Sequence, residues 1–200
     1  MKKLVGAAAV AALGIALWWR SNPSACPYSQ RFWVQAPHPF ITRDRLRRVL
    51  EPATGERVLE VGPGTGYYTL DLAAWVGHEG TVELLDLQQE MLDHTIRRAR
   101  ERGLWNVNPT RGDARELPYD DDSFDAVVMV TTLGEIPDQD AALREVARVL
   151  RPGGRLIVGE LFGDPHMVTV GSLRRRADSA GLRLTRRSGP KLGYFARLDA

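Results

Sequence analysis

Apolar positions beyond Glu51 come in two rhythms that alternate along the chain. Compact apolar runs at residues 57–61 (RVLEV), 82–85 (VELL), 124–130 (FDAVVMV) and 155–161 (RLIVGEL) predict buried strands, with a weaker strand over 107–111. Between them the apolar residues recur at helical spacing, which predicts helices over about 67–76, 88–102 and 138–150. The stretch "RPGG", residues 151–154, is expected to stop the last of these before the next strand. A short helix near 173–180 ends at Gly181, and two extended pieces near 182–187 and 193–198 follow. Strands that read as continuous apolar runs are covered on both faces, and strand-helix alternation requires right-handed crossovers. The pattern therefore predicts an α/β fold: a doubly wound, mostly parallel seven-stranded sheet with helices on both faces.

Before Glu51 the pattern changes. Residues 1–20, MKKLVGAAAVAALGIALWWR, set 16 uncharged residues, from Leu4 to Trp19, between Lys3 and Arg20. They predict an N-terminal apolar helix directed at a membrane. At ~1.5 Å per residue it reaches roughly 24 Å, short of a ~30 Å hydrocarbon core, so it reads as an anchor that spans under strain or lies at the interface. A cleaved secretion signal and an ordinary apolar helix stay open, although Pro23 spoils the position three residues before a cut after Ala25. Residues 21–50 begin with prolines and aromatics and end in a helix that Thr42 can cap, with Ile41, Leu46, Val49 and Leu50 as its apolar stripe. Three parts result: an anchor-like helix (1–20), an aromatic, Pro-rich cover (21–50) and one α/β domain (51–200).

Composition narrows the partners. The 27 basic and 25 acidic residues nearly cancel, so no electrostatic footprint for a nucleic acid is present and none is expected as a partner. Cys26 is the only cysteine, which excludes an intramolecular disulfide and a Cys-rich zinc site; no metal is expected. The acidic run Asp120 to Asp122 reads as a solvated loop. The arginines at 174–176 and at 186 and 187 read as solvated faces that an anionic membrane surface could also use. His78, His94 and His166 stand alone and suggest no catalytic role.

The chemistry concentrates in "VLEVGPGTGYYTL", residues 58–70. In an open α/β sheet a ligand lies beyond the carboxyl ends of the strands, where the first strand turns into a helix, and Gly62, Gly64 and Gly66 fall there. A dinucleotide fingerprint would place a third small residue at position 67, which is Tyr67, so a pyrophosphate would meet a phenol ring. Asp86 closes the second strand 20 residues after Gly66, a spacing that suits a carboxylate on the two hydroxyls of a ribose.

These residues resemble the Rossmann-like class I S-adenosylmethionine-dependent methyltransferases, nearest the small-molecule branch with the quinone-biosynthesis C-methyltransferases. The resemblance spans residues 51–200 and rests on "VLEVGPGTG", "VELLD", "GDARELPYDDDSFDAVVM" and "LREVARVLRPGGRLIV". It implies S-adenosylmethionine as cofactor, with Glu60, Gly62, Gly64 and Gly66 around its methionine part. Asp86 would hold the ribose, Leu87 would lie against the adenine, Asp113 with Ala114 would read the adenine amino group, and Thr131 would lie under the sulfonium. A cytoplasmic cofactor in turn implies a membrane-associated protein whose domain faces the cytoplasm and takes a small, lipophilic acceptor.

Methyl transfer from a sulfonium is an in-line displacement, for which the protein chiefly supplies alignment and a dry cavity. A general base is needed only if the acceptor still carries its proton, and Tyr28 and His38 are the candidates that the cover segment offers. The residues after the fourth predicted strand, Thr131-Thr132-Leu133-Gly134, lack the Pro-Pro-aromatic pattern of amino-group methyltransferases, which argues against base methylation. Aminopropyl transfer on the same fold and a cofactor-binding, non-catalytic membrane protein remain as alternatives.

Overall fold

The computed structural model describes residues 22–35 and 38–200, so the expected apolar helix over 1–20 lies outside the described residues. Seven strands form one sheet: β1 (Arg57–Val61), β2 (Thr81–Asp86), β3 (Val107–Arg111), β4 (Phe124–Val130), β5 (Leu150–Leu161), β6 (Arg183–Ser188) and β7 (Gly193–Asp199). Their order is β3-β2-β1-β4-β5-β7-β6. The first five are parallel, and β7 inserts antiparallel between β5 and β6. The sheet is thus mixed at one end and parallel through its centre.

Burial on both faces explains the apolar runs. Along β4, Val127 and Met129 enter one core with Leu143 and Val146, while Ala126 and Val128 enter the other with Leu46 and Leu72. Helices α2 (Arg43–Leu50), α3 (Thr69–Val76) and α4 (Gln89–Glu101) cover the second face. Helices α5 (Gln139–Val149) and α6 (Val170–Ser179) cover the first. Ahead of α2, a 3-10 turn (Tyr28–Gln30) leads into the brief helix α1 (Arg31–Gln35).

Thr42 caps α2 as its sequence predicts, accepting from the Arg45 amide at 3.4 Å, and Ile41, Leu46, Val49 and Leu50 are all buried. The far end of α2 is tied to the sheet by buried Arg155 of β5. Its guanidinium donates to the carbonyls of Leu50 and Glu51 and pairs with Glu56 at 2.8 Å, satisfying carbonyls that a helix end leaves open.

Three boundaries differ from the sequence pattern. The helix expected from residue 67 begins at Thr69, because the glycine-rich turn consumes the residues before it. Helix α6 starts at Val170 rather than 173, because Thr169 accepts from the Ser172 amide and caps it there. "RPGG" does not separate helix from strand: Leu150 already pairs with Phe124, and the register then jumps to Ala126 opposite Arg155. The four residues between form a bulge within β5. Among the described residues no helix is long and apolar enough to cross a membrane.

Candidate functional site

The carboxyl ends of β1, β2 and β4 open into a cavity of about 370 Å³, within the ~300–1,000 Å³ usual for small-molecule sites. Every predicted cofactor residue except Gly66 lies in its wall: Glu60, Gly62 and Gly64 from β1 and its turn, Asp86 and Leu87 from β2, Asp113 and Ala114 after β3, and Thr131 after β4. Gly66 stands off the wall, where a Cβ would come within 2.7 Å of the Thr95 methyl of α4. Its bareness serves helix packing. Gly62 is bare on the same two grounds as Gly66, whose φ is 76°: at φ 68° its Cβ would sit 2.5 Å from the Thr132 side chain.

Thr132 in turn follows a strained residue. Thr131 has φ 51°, which a β-branched residue rarely adopts, and the surrounding bonds hold it there. Its amide donates to Gly159 across the sheet at 2.8 Å, and the Thr132 hydroxyl donates to Val130 at 3.0 Å.

Carboxylates dominate the electrostatics. Glu60 is buried; desolvation raises its pKa to about 7 although the Thr69 hydroxyl donates to Oε2. Burial likewise raises Asp86, against the amides of Gln88, Gly64 and Leu87 that point at it. The Gln88 amide bond, 2.9 Å from Asp86 Oδ1, gives Asp86 a local turn-forming role as well as a place in the cavity. Asp113 is held below the usual carboxylate range by Arg115, whose guanidinium grips it at 2.7 Å. A cationic ligand would favour the ionised forms of these buried acids and be held by them.

A strap closes one side. Pro23, Ser24, Ala25 and Cys26 line the cavity, and the strap is fastened by the Gln88 side chain, whose Nε2 donates to Cys26 O while Oε1 accepts from the Tyr28 amide, both at 2.9 Å. The Tyr28 hydroxyl is bonded to His94 Nδ1 at 3.2 Å and lies off the cavity wall, so the structure gives Tyr28 a fastening role and not that of a base. His38 does line the cavity. It packs against Tyr67 and Tyr68, and burial followed by Arg43 lowers its pKa, which favours the neutral ring.

One wall residue has no counterpart in the sequence prediction. Glu135 lies on a 3-10 turn (Leu133–Glu135) after β4, and its Oε2 accepts from the Cys26 amide at 3.3 Å. Burial, and then the nearby Asp164, raise its pKa to about 8. In the sequence its only mark is its place one position past the tetrad Thr131 to Gly134.

The strand order, the cavity at the first crossover and its ribose-spaced aspartate define a class I methyltransferase fold. The chain belongs to the ubiE/COQ5 methyltransferase family, whose model matches residues 38–170. It is 42% identical over 147 residues to the ubiquinone/menaquinone biosynthesis C-methyltransferase UbiE of Vibrio vulnificus, covering 73% of this chain and 54% of that protein. Against UbiE of Idiomarina loihiensis it is 40% identical over 117 residues, 58% of this chain and 46% of that one. The chain therefore spans about half the length of these curated relatives. Among solved structures, a SAM dependent methyltransferase from Aquifex aeolicus superposes with a TM-score of 0.79 at 22% identity, over 87% of this chain and 98% of that one. The [4+2]-cyclase SpnF superposes with a TM-score of 0.69 at 23% identity, over 78% of each chain. These two likenesses concern the fold alone.

Proposed function

We propose that the protein transfers a methyl group from S-adenosylmethionine to a ring carbon of a small, lipophilic hydroquinone. The observation that carries this reading is the cavity itself: bare backbone at Gly62 and Gly64 beside a wall of carboxylates, which suits a cationic ligand bearing a ribose. When bound, the cofactor supplies an activated methyl on a good leaving group. Asp86 would accept the ribose hydroxyls, Leu87 and Ala114 would flank the adenine, and Asp113 would keep a lone pair for its amino group while paired with Arg115. Glu60 would face the cationic methionine part. The strap would exclude water and narrow the approach of the acceptor.

The carbon acceptor follows from the named activity of the UbiE relatives, and the fold by itself would not choose it, since a cyclase shares it. Nothing specific favours aminopropyl transfer or a non-catalytic role. A membrane location for the acceptor is supported by the apolar residues 4–19 and by Phe162 and Leu192, both exposed at the cavity end of the sheet. Their backbones are joined, Phe162 N to Leu192 O at 2.8 Å, so the two form one apolar rim. The full chain should float with anionic vesicles, and a version starting at Ser21 should float less; equal partition of both into the soluble fraction defeats the membrane reading.

For the activity itself, the purified protein would be titrated with S-adenosylmethionine, then given a labelled cofactor and a short-tailed 1,4-naphthohydroquinone with a free ring carbon beside a hydroxyl. Label on that carbon is the expected result. Cofactor binding without transfer to any acceptor class would instead support the non-catalytic alternative.

A further inference from the structure

We propose that Glu135 is the catalytic base of this methyl transfer, taking the acceptor's hydroxyl proton as the ring carbon attacks; the proposal deepens the reading above and rests on it. A hydroquinone hydroxyl, like a phenol with a pKa of about 10, keeps its proton at pH 7. The neutral ring is a poor carbon nucleophile, and removing that proton pushes electron density onto the adjacent carbon. A base within reach of the hydroxyl is therefore needed.

The geometry singles out Glu135 among the acids of the wall. Glu60 is buried and held by Thr69, Asp86 is held by its own turn amides, and Asp113 is paired with Arg115. Glu135 accepts one amide bond on Oε2, while Oε1 has no hydrogen-bond partner among the described residues. Its turn is rigid. Gly134 packs so closely on the loop after β5 that a Cβ there would overlap the His166 carbonyl, and the Glu135 amide donates to Thr132 O at 3.0 Å. The carboxyl is thereby fixed beyond the end of β4, beside Thr131 and Thr132 in the cavity wall.

The step balances as follows. The ring carbon forms its bond to the methyl with a π electron pair, the sulfur-methyl bond breaks with its pair going to sulfur, and the hydroxyl proton passes to Glu135. The resulting dienone loses its ring hydrogen to water while Glu135 returns a proton to the ring oxygen. The carboxylate is restored and one proton is released overall.

The groups facing Glu135 fit this cycle. They are Asp86 at the end of β2, the Cys26 thiol in the strap, Glu160 on β5, and Asp164 in the following loop beside His166. Burial, then Asp164 and Asp86, favour the protonated form of Glu135 in the free protein, against the Cys26 amide. A cation arriving in the cavity lowers its pKa and expels that proton, which primes the base once the methyl donor is bound.

The test is Glu135→Gln, which keeps an acceptor for the Cys26 amide, and Glu135→Asp, which keeps the carboxylate. Turnover of the short-tailed naphthohydroquinone should fall by about 100-fold or more in the Gln variant, with cofactor affinity within about threefold of wild type. The wild-type rate should rise with pH approaching pH 8, the Gln variant should lose that rise, and the Asp variant should recover part of both. Calorimetry at pH 8 in two buffers of different ionisation enthalpy should detect proton release when S-adenosylmethionine binds the wild type, and less in the Gln variant. A Gln variant with wild-type rate and pH profile overturns the proposal, as does a slow one that keeps the wild-type pH profile, which would make Glu135 a fastener of the strap. A wild-type protein that binds no cofactor, or never transfers a methyl, removes the underlying reading and the proposal with it.

Discussion

Single side chains carry the ligand-facing chemistry, and those whose meaning depends on chain position were readable in advance. Asp86 closes an apolar strand after a glycine turn, and Gly62 and Gly64 fall at that turn, so spacing alone brought them to one cavity. Glu135 was not readable, because a lone acid after a strand has meaning only once the strap and the loop after β5 enclose it. Gly66 shows the reverse: its spacing matched the motif, but its positive φ and the Thr95 side chain are what require it. Asp86→Ala should weaken both S-adenosylmethionine and its demethylated product by about tenfold or more, since it leaves two ribose hydroxyls without a charged acceptor. Calorimetric titration measures this, and unchanged affinity would take Asp86 out of the site. Glu60 gives a pH signature. A cation binds its ionised form, so with a pKa near 7 the cofactor affinity should drop about tenfold from pH 8 to pH 6. Glu60→Gln should weaken that dependence and leave the part that Glu135 contributes.

Elements follow their apolar patterns closely, and the exceptions trace to local polar bonds that periodicity does not register. "RPGG" looks like a helix stop followed by a loop. The pairing of Leu150 with Phe124 makes it a bulge in β5 instead. The strap is the least legible element, since its order comes from Gln88 imitating a strand partner with its two amide atoms. Gln88→Ala should release it. Cys26, the only thiol in the chain, reports on this: burial, followed by Glu135 and Asp164, raises its pKa and slows its reaction in the closed strap. Labelling by a disulfide reagent should be several-fold faster in the variant, with the melting temperature nearly unchanged. Arg155→Ala should do the opposite. Removing the buried cation leaves Glu56 and the end of α2 unpaired, at a cost of about 3–5 kcal/mol in urea unfolding, with the strap still closed.

At the scale of the whole molecule, the parallel centre of the sheet was legible from apolar runs, whereas the antiparallel insertion of β7 leaves no mark in the pattern of residues 182–198. The buried acids add a global property. Glu60, Asp86, Glu135, Glu160 and Asp164 all hold their protons more tightly in the folded protein than the ordinary carboxylate value dictates, chiefly through desolvation. Their stabilisation is complete below about pH 4 and is lost as pH rises through the folded values, near 7 for Glu60 and 8 for Glu135. The protein should thus be more stable to urea at pH 5.5 than at pH 8.5, by a margin on the order of a few kcal/mol. S-adenosylmethionine should raise the melting temperature more at pH 8.5 than at pH 5.5, because its charge relieves the repulsion.

The place of β7 also sets a schedule. On a ribosome β5 emerges with one edge bare, and the strand that follows it, β6, has no seat there, because β7 must come between them. The edge stays open to any passing extended chain until β7 has been made and threads in, so the interval between the two is when this protein is most exposed to mispairing and to chaperones.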